Sequence, residues 1–244
     1  MKNALIWLFI TSTLLTNKLL AQGQDSLSVQ EQRPPRVFTL RVGTDMMRLV
    51  RTQTNPDFQG FELVGDLQLN RRWFVATEIG AEKVTRLAEQ INYTTSGSYF
   101  KVGVDYNFFK NWEGMNNNMY IGFRYARSLH QHTVNNYQLY SLNQYVTTTT
   151  TNGYAIGERD PLGNGWFEFL FGIKVALLKN LYAGISLRMG GMLVNPQPDN
   201  FGNLYAPGFN KITDDNKFGS NINYTLTYAF PFRFRKGAAA NKDE

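Results

Sequence analysis

The sequence predicts an all-β fold, an eight-stranded antiparallel transmembrane β-barrel with short periplasmic turns and long extracellular loops. Three observations predict it: eight segments alternate apolar and polar residues with a period of two, their connections alternate between short and long, and an export signal precedes them. Charged residues make up only 18% of the chain and aromatic residues 14%. This balance is typical of a protein whose outer surface meets something less polar than water.

The first 21 residues are predicted to be a secretory signal peptide. One positive charge precedes a mainly apolar run at 4–15, and the small residue Ala21 lies just before the polar segment QGQDS. A retained membrane anchor is the alternative, but the run is short for a membrane span, and Asn17 and Lys18 lie soon after it. We therefore expect cleavage near Ala21 and a periplasmic segment at 22–36.

Composition excludes several classes of site and fold. The chain has no cysteine, which excludes disulfides, thiolate metal sites, a cysteine nucleophile and a lipid-bearing cysteine. After the signal peptide no apolar run is long enough for a transmembrane helix, because the best candidate, 166–178, carries Glu168 and Lys174. Any membrane span must therefore be made of strands.

The alternation is clearest in the fourth segment, YFKVGVDYNFFKNW at 99–112. Phe100 and Val104 lie in one register, and Lys101 and Asp105 lie in the other. A period of two is the pattern of a β-strand. A strand of a soluble sandwich would show the same pattern, so the prediction depends on its repetition. The eight segments are 37–51, 59–69, 73–84, 99–112, 119–126, 167–175, 181–189 and 222–230.

Each of the other segments repeats this register. In the first three, the apolar residues are Phe38, Leu40 and Val42, then Phe61, Leu63, Leu67 and Leu69, then Trp73, Val75, Ile79 and Ala81. In the last four, they are Met119, Ile121, Phe123 and Tyr125, then Phe167, Phe169, Phe171, Ile173 and Val175, then Leu181, Ala183, Ile185, Leu187 and Met189, then Ile222, Tyr224, Leu226, Tyr228 and Phe230. Every segment can thus turn one face to lipid.

The connections alternate in length, as in an outer-membrane barrel whose termini lie on the short-turn side in the periplasm. The short turns are predicted at 70–72, 109–118 and 179–180. The long loops are predicted at 52–58, 85–98, 129–164 and 190–217. The fold of a secreted β-sandwich does not require this alternation of short and long connections. The barrel is therefore predicted at 37–232, followed by a periplasmic tail at 233–244.

The inward register is predicted to hold an ion-pair network. It contains seven acids, Asp45, Glu62, Asp66, Glu78, Glu82, Asp105 and Glu168, and five bases, Arg41, Lys101, Arg124, Lys174 and Arg188. Eight strands leave an interior only wide enough for side chains, and charges there must be paired or wetted. We expect a filled lumen, with room for the long bases made by small residues at Gly103, Gly122, Gly172 and Gly184.

Aromatic residues near the segment ends are predicted to form girdles at the two membrane interfaces. They are Trp73, Tyr99, Trp112, Tyr182 and Phe232. The alternative is that they are ordinary core aromatics.

The chain also resembles a known family. The stretches that carry the resemblance include FQGFELVGDLQLNRRWFVATEIG, GSYFKVGVDYNFFKNW, WFEFLFGIKVALLKNLYAGISLRM and, most specifically, PDNFGNLYAPGFN. Together they are similar to small outer-membrane proteins of Bacteroidota known mainly as a domain of unknown function. The resemblance implies a barrel and an outer-membrane location. It implies no activity and no catalytic residues.

Candidate chemistry is sparse. His130 and His132 form an HQH pair in or beside the longest loop, which as a zinc site would need further ligands, so loop histidines without function are preferred. Ser128 near His130 invites comparison with lipid A enzymes that use histidine, serine and an acid. However, no acidic residue follows at a spacing that would indicate such a catalytic set. The threonine run at 147–151 matches no phosphate-binding loop. We predict no catalytic, cofactor-binding or metal residues.

The charge predicts the surroundings. The formal charge of +6 falls to +4 when Lys2 and Lys18 leave with the signal peptide. Basicity in an exported protein points to outer-membrane lipid and phosphate-rich lipopolysaccharide, not to nucleic acid.

Two hypotheses for the function remain. One is a non-enzymatic structural or accessory subunit of an outer-membrane complex, and the other is a barrel that binds or modifies lipid A or another surface ligand at its extracellular loops.

Overall fold

The computed structural model describes residues 37–88, 91–110, 117–139, 148–150, 156–158, 160–197, 202–211 and 217–233. The predicted signal peptide, the segment at 22–36, Trp112 and residues 147 and 151 of the threonine run lie outside this part of the chain. So does the predicted tail, except Arg233, which belongs to the last strand. No helix among the described residues is long and apolar enough to cross a membrane.

Eight long antiparallel strands close into a barrel in the described part of the chain. They are β1 (Val37–Asp45), β2 (Phe58–Gln68), β3 (Trp73–Ala88), β4 (Ile91–Asn107), β5 (Asn118–Leu139), β8 (Leu162–Leu178), β9 (Leu181–Val194) and β12 (Phe218–Arg233). Each pairs with the next long strand along the chain, and β12 pairs with β1. Four short strands lie in the connections, β6 (Thr148–Thr150), β7 (Gly157–Glu158), β10 (Tyr205–Ala206) and β11 (Asn210–Lys211). The predicted fold class is confirmed.

The strand register separates an apolar outer wall from a charged interior. On β4, Phe100, Val102 and Val104 are exposed outside, whereas Lys101 and Asp105 between them are buried. The same alternation on the neighbouring strands gives the outer wall a continuous apolar band. An exposed band of this size needs lipid around it to be stable, and the pairing of β12 with β1 joins the two ends of the sheet within it.

The first predicted strand is too long. Strand β1 ends at Asp45, and Met46–Thr54 form a helix, α1, where the prediction continued the strand to Arg51. The Asp45 side chain accepts a hydrogen bond from the Met47 backbone N–H at 2.9 Å, which caps the start of the helix. The run MMRLVR consists mostly of good helix formers, and its apolar residues follow a helical spacing, not a strand alternation.

Three predicted loops contain continuations of the long strands. The predicted loop at 85–98 is the extension of β3 and β4, and the ones at 129–164 and 190–217 begin as extensions of β5 and β9. Above the apolar band the outward positions become polar, as at Ser96 and Thr133, so the sequence loses its alternation while backbone pairing continues. We call the part of β3, β4 and β5 beyond the band, residues 85–88, 91–98 and 131–139, the tall wall.

Candidate functional site: the lumen and its loop plug

All twelve charges predicted to point inward are buried in the lumen. At its centre, Arg124 donates two hydrogen bonds to Asp105, at 2.6 and 2.9 Å. Arg188 pairs with Glu78 at 2.5 Å, and Glu78 also accepts from Arg124 at 3.4 Å. Charges this deep are stable because each one has a partner of opposite sign.

The short-turn end of the lumen has its own charge cluster. Asp66 accepts hydrogen bonds from Arg41 at 2.6 Å and from Lys174 at 2.5 Å. The Arg41 guanidinium also lies over the rings of Phe74 and Tyr182, at 4.7 and 5.5 Å from their centroids. Tyr182 is therefore a lumenal residue, and its predicted place in an interfacial girdle is wrong.

Helix α1 adds a base that the sequence prediction missed. Arg48 points into the lumen and forms ion pairs with Asp45 at 3.5 Å, with Glu62 at 3.3 Å and with Glu82. The Tyr99 hydroxyl donates to Glu62, so Tyr99 is lumenal as well and its predicted girdle position is also wrong. The helical spacing of MMRLVR after a capping aspartate was the signal that could have placed Arg48 inside.

The remaining girdle predictions have mixed outcomes. Trp73 is exposed on the outer wall at the short-turn end, where a girdle would lie. Trp112 and the side chain of Phe232 lie outside the described part of the structure.

The inward glycines accommodate rings and short polar groups more than long bases. A Cβ atom at Gly172 would lie 2.5 Å from the Tyr120 ring, and one at Gly184 would lie 2.5 Å from the Thr225 hydroxyl. A Cβ at Gly122 would meet the Asp105 carboxylate. The predicted purpose is thus corrected, because aromatic and short polar side chains occupy most of the space over these glycines.

Residues 202–211, which we call the loop plug, close the mouth of the lumen. The Tyr205 hydroxyl and the Gly208 backbone N–H donate to the same Glu82 oxygen, at 2.9 and 3.2 Å. Lys101 donates to the Gly208 carbonyl at 3.1 Å. The plug therefore provides hydrogen-bond partners for the charges near the mouth of the lumen. The sequence predicted the plug residues only as part of a long loop.

Apolar contacts fix the plug at its tip. Phe209 packs edge-on against Trp166 with ring centroids 5.6 Å apart, and both residues are buried. Gly208 has φ = +81° and lies against the Tyr99 ring, so closely that a Cβ atom would be 2.6 Å from it. Residues 202–210, the described part of the stretch PDNFGNLYAPGFN that most specifically carries the family resemblance, thus enter the barrel.

The two histidines lie on β5 facing the lumen, not in a loop. The Asn203 side-chain oxygen lies 3.3 Å from His130 Nε2 and 3.0 Å from His132 Nε2. Both Nε2 atoms therefore donate to this oxygen, which leaves His132 Nδ1 to accept from Thr95 at 2.7 Å. Burial, and the neighbouring His132, lower the pKa of His130 to about 4.

The histidine pair holds the loop plug through Asn203. Among the described residues, no group of three His, Cys, Asp or Glu side chains is arranged to hold a metal ion. Ser128 Oγ lies 3.5 Å from His130 Nδ1, so the structure does bring that predicted pair together. The other His130 nitrogen faces the Asn203 amide, where a catalytic triad would have a carboxylate.

A family model matches residues 1–235, which include every stretch that carries the resemblance. The chain belongs to the family described as domain of unknown function (DUF6048). Membership adds no assigned activity. No curated protein matches the chain.

Three solved outer-membrane or surface proteins are similar in structure. Ail, the attachment invasion locus protein of Yersinia pestis, shares 9% identity at a TM-score of 0.38, with 80% of this chain and 98% of that chain covered. Neisserial surface protein A (NspA) shares 9% identity at 0.36, with 81% and 96% covered. A major outer membrane protein from Thermus thermophilus shares 10% identity at 0.43, with 80% and 99% covered.

Because these TM-scores are low, the fold of this chain is assigned from its own strand register. The cyclic pairing of eight strands and the apolar outer band are those of a barrel that spans an outer membrane. We therefore locate the chain in the outer membrane.

Proposed function

We propose that the chain is a non-enzymatic integral outer-membrane barrel that acts as a structural or accessory subunit of an outer-membrane complex. The filled lumen carries this proposal. Cavities beside its ion pairs and plug measure about 60 and 20 Å³. Such volumes hold a few water molecules at most, which is too little for a conduit or an enclosed substrate.

The tall wall supports a docking role. Strand β5 continues for nine residues beyond His130, roughly 25 to 30 Å along the strand. It pairs with β4 as far as Tyr137, so most of this surface is already ordered and a partner would lose little conformational entropy on binding. Leu87, near the tip of β3, is 79% exposed.

Purification of the full chain from its native membrane in mild detergent, followed by mass spectrometry, tests the proposal. We expect a stoichiometric outer-membrane protein partner. Leu87→Glu should reduce its recovery, whereas Leu178→Glu, equally apolar but at the short-turn end, should not. Heat-modifiable mobility on gels shows whether both variants fold. Recovery of the barrel alone, without a partner, would contradict an accessory role.

One observation favours a second candidate, a barrel that binds or modifies lipid A or another surface ligand at its extracellular loops. Ser128 Oγ and His130 Nδ1 lie 3.5 Å apart, as a nucleophile and its base would. Comparison of lipid A mass spectra from wild-type cells, a deletion strain and a Ser128→Ala strain tests this candidate. Lipid A that is altered in both mutants would support it, and unchanged lipid A would remove modification as a function.

A further inference from the structure

A deep groove lies on the outer wall beside helix α1. Its volume is about 980 Å³, and it is bounded by Met47 and Val50 of the helix and by Phe169, Leu187 and Ile222 of three strands. The strand residues belong to the outward register, so the groove is part of the lipid-facing surface. Its volume is at the upper end of the range for small-molecule sites, about 300 to 1,000 Å³.

The groove exists because the barrel wall is interrupted there. The last residue of β1, Asp45, pairs with Thr225, so the β12 residues at 219–224 have strand pairing only with β9 in the described part of the chain. The Ile222 backbone N–H donates to the Asn221 side chain at 2.8 Å, where a neighbouring strand would otherwise accept. Helix α1 contacts both β12 and β2 at this interruption, and the depression beside it is therefore a fixed feature of the fold.

One end of the groove is positively charged. Arg51 lines the groove, and its guanidinium lies 4.0 Å from the centroid of the Phe58 ring. Arg86 lies outside the lining, with its guanidinium 5.0 Å from the centroid of Tyr205. Among the described residues, neither has a carboxylate within ion-pair distance. A half-buried arginine without a carboxylate partner favours an anionic ligand.

We propose that the groove binds an acyl chain of a bilayer lipid whose phosphate headgroup is held by Arg51. The apolar walls continue the band that faces lipid, so a bilayer lipid reaches the groove without crossing water. The guanidinium fork matches phosphate oxygens in geometry and charge. This site lies on the outer wall, and it depends neither on the accessory role nor on chemistry at the loops.

Native mass spectrometry of the full chain in mild detergent tests the site, with dimyristoylphosphatidylglycerol as the probe. We expect one lipid retained per wild-type barrel. Val50→Asp should reduce retention by about tenfold, because it places a carboxylate in the apolar wall. Val102→Asp is the matched control, since Val102 is 45% exposed on the outer wall of β4 and Val50 is 53% exposed. Equal retention by both variants would overturn the proposal.

Uncharged dimyristoylglycerol carries the acyl chains without a phosphate, so it tests the acyl-chain contact separately from the headgroup contact. Arg51→Gln should weaken retention of the phosphatidylglycerol and leave that of the diacylglycerol unchanged. An equal loss of both lipids would refute the phosphate contact. If Val50→Asp lacks heat-modifiable mobility, Met47→Gln replaces it as a milder change in the same wall. A protein, instead of lipid, bound at the groove in the native preparation would also overturn the proposal.

Discussion

Single residues decide how the loop plug seats in the lumen. Gly208 combines a positive φ of +81° with close contact to the Tyr99 ring, and only glycine meets both demands. Asn203 works from the other side, where its one side-chain oxygen accepts from His130 and His132. The plug is thus fixed by backbone geometry at its tip and by hydrogen bonds at its base.

Gly208→Ala should loosen the plug. The new Cβ would lie 2.6 Å from the Tyr99 ring, and the strained backbone adds a cost, together roughly 1 to 3 kcal/mol. Hydrogen exchange at 202–211 should become faster. Gly157→Ala is the control, since Gly157 has φ = +111° but would place its Cβ in open space. Equal acceleration of exchange in the plug by both variants would show that contact with Tyr99 is unimportant.

The plug should also open more readily as pH falls. The pKa of His130 is about 4 in the folded protein against 6.5 for the free side chain, and burial lowers the pKa of His132 too. Above about pH 6.5 the histidines are neutral in both states. Below it the opened state binds protons first, so closure loses stability as pH falls from 6.5 towards 4, and no further below that.

Hydrogen exchange of the plug at several pH values measures this effect. A variant with His130→Gln and His132→Gln should lose the histidine part of the pH dependence. Glu82, which also holds the plug, is present in both proteins, so the difference between wild type and variant isolates the histidines. The same pH slope in both would contradict the prediction.

At the scale of one element, β4 shows how a strand divides two environments. Val104 is 43% exposed on the lipid side, and Asp105, the next residue, is buried against Arg124. Neighbouring residues therefore respond to substitution for opposite reasons, one through lipid and the other through a buried charge.

Val104→Arg should destabilise the barrel by roughly 2 to 4 kcal/mol, because it puts a charge near the bilayer middle. Asp105→Asn should leave the lipid surface unchanged and destabilise by up to about 3 to 5 kcal/mol if Arg124 cannot be rehydrated. Urea unfolding in lipid vesicles and in detergent micelles separates the two. The Val104→Arg penalty should depend on bilayer thickness, and that of Asp105→Asn should not. A reversed dependence would mean that the two faces are exchanged.

At the scale of the whole molecule, the pairing of β12 with β1 closes the barrel, and side chains fill its interior. A closed ladder resists detergent until heated, so we expect heat-modifiable gel mobility and recovery with the outer membrane. Reconstituted protein should conduct poorly, because ion pairs and the plug fill the lumen in the described part of the chain, where the cavities beside them measure about 60 and 20 Å³. Large, stable single-channel currents in planar bilayers would contradict the filled lumen.

Cysteine labelling tests the topology, since the chain has no native cysteine. Leu87→Cys, on the tall wall, should react with an impermeant maleimide on whole cells, and Val104→Cys should be shielded by lipid. Asn136 belongs to a predicted loop, but it lies on β5 opposite Asn92 and is half-buried, so Leu87 is the better reporter. Labelling of Leu87→Cys only after the outer membrane is broken would mean that the barrel is inverted.

The sequence by itself determined the barrel, its lipid face and its inward charges. A period of two is a local property, so each residue's side of the wall, as for Val104 and Asp105, can be read without knowing any partner. Strand ends were less predictable above the apolar band. Above the band both strand faces meet water or protein, so outward residues such as Ser96 and Thr133 are polar. The sequence therefore shows no contrast of apolar outward and polar inward residues there, although the strands continue to pair.

Only the tertiary structure decided how the lumen is filled. Arg48 became a lumenal base because a helix, not a strand, follows Asp45, and the helix in turn created the outer groove. Several plug contacts join residues more than 100 positions apart, such as Lys101 and Gly208. Such pairings depend on how the barrel closes, because closure alone brings the distant loop over the charges that it satisfies.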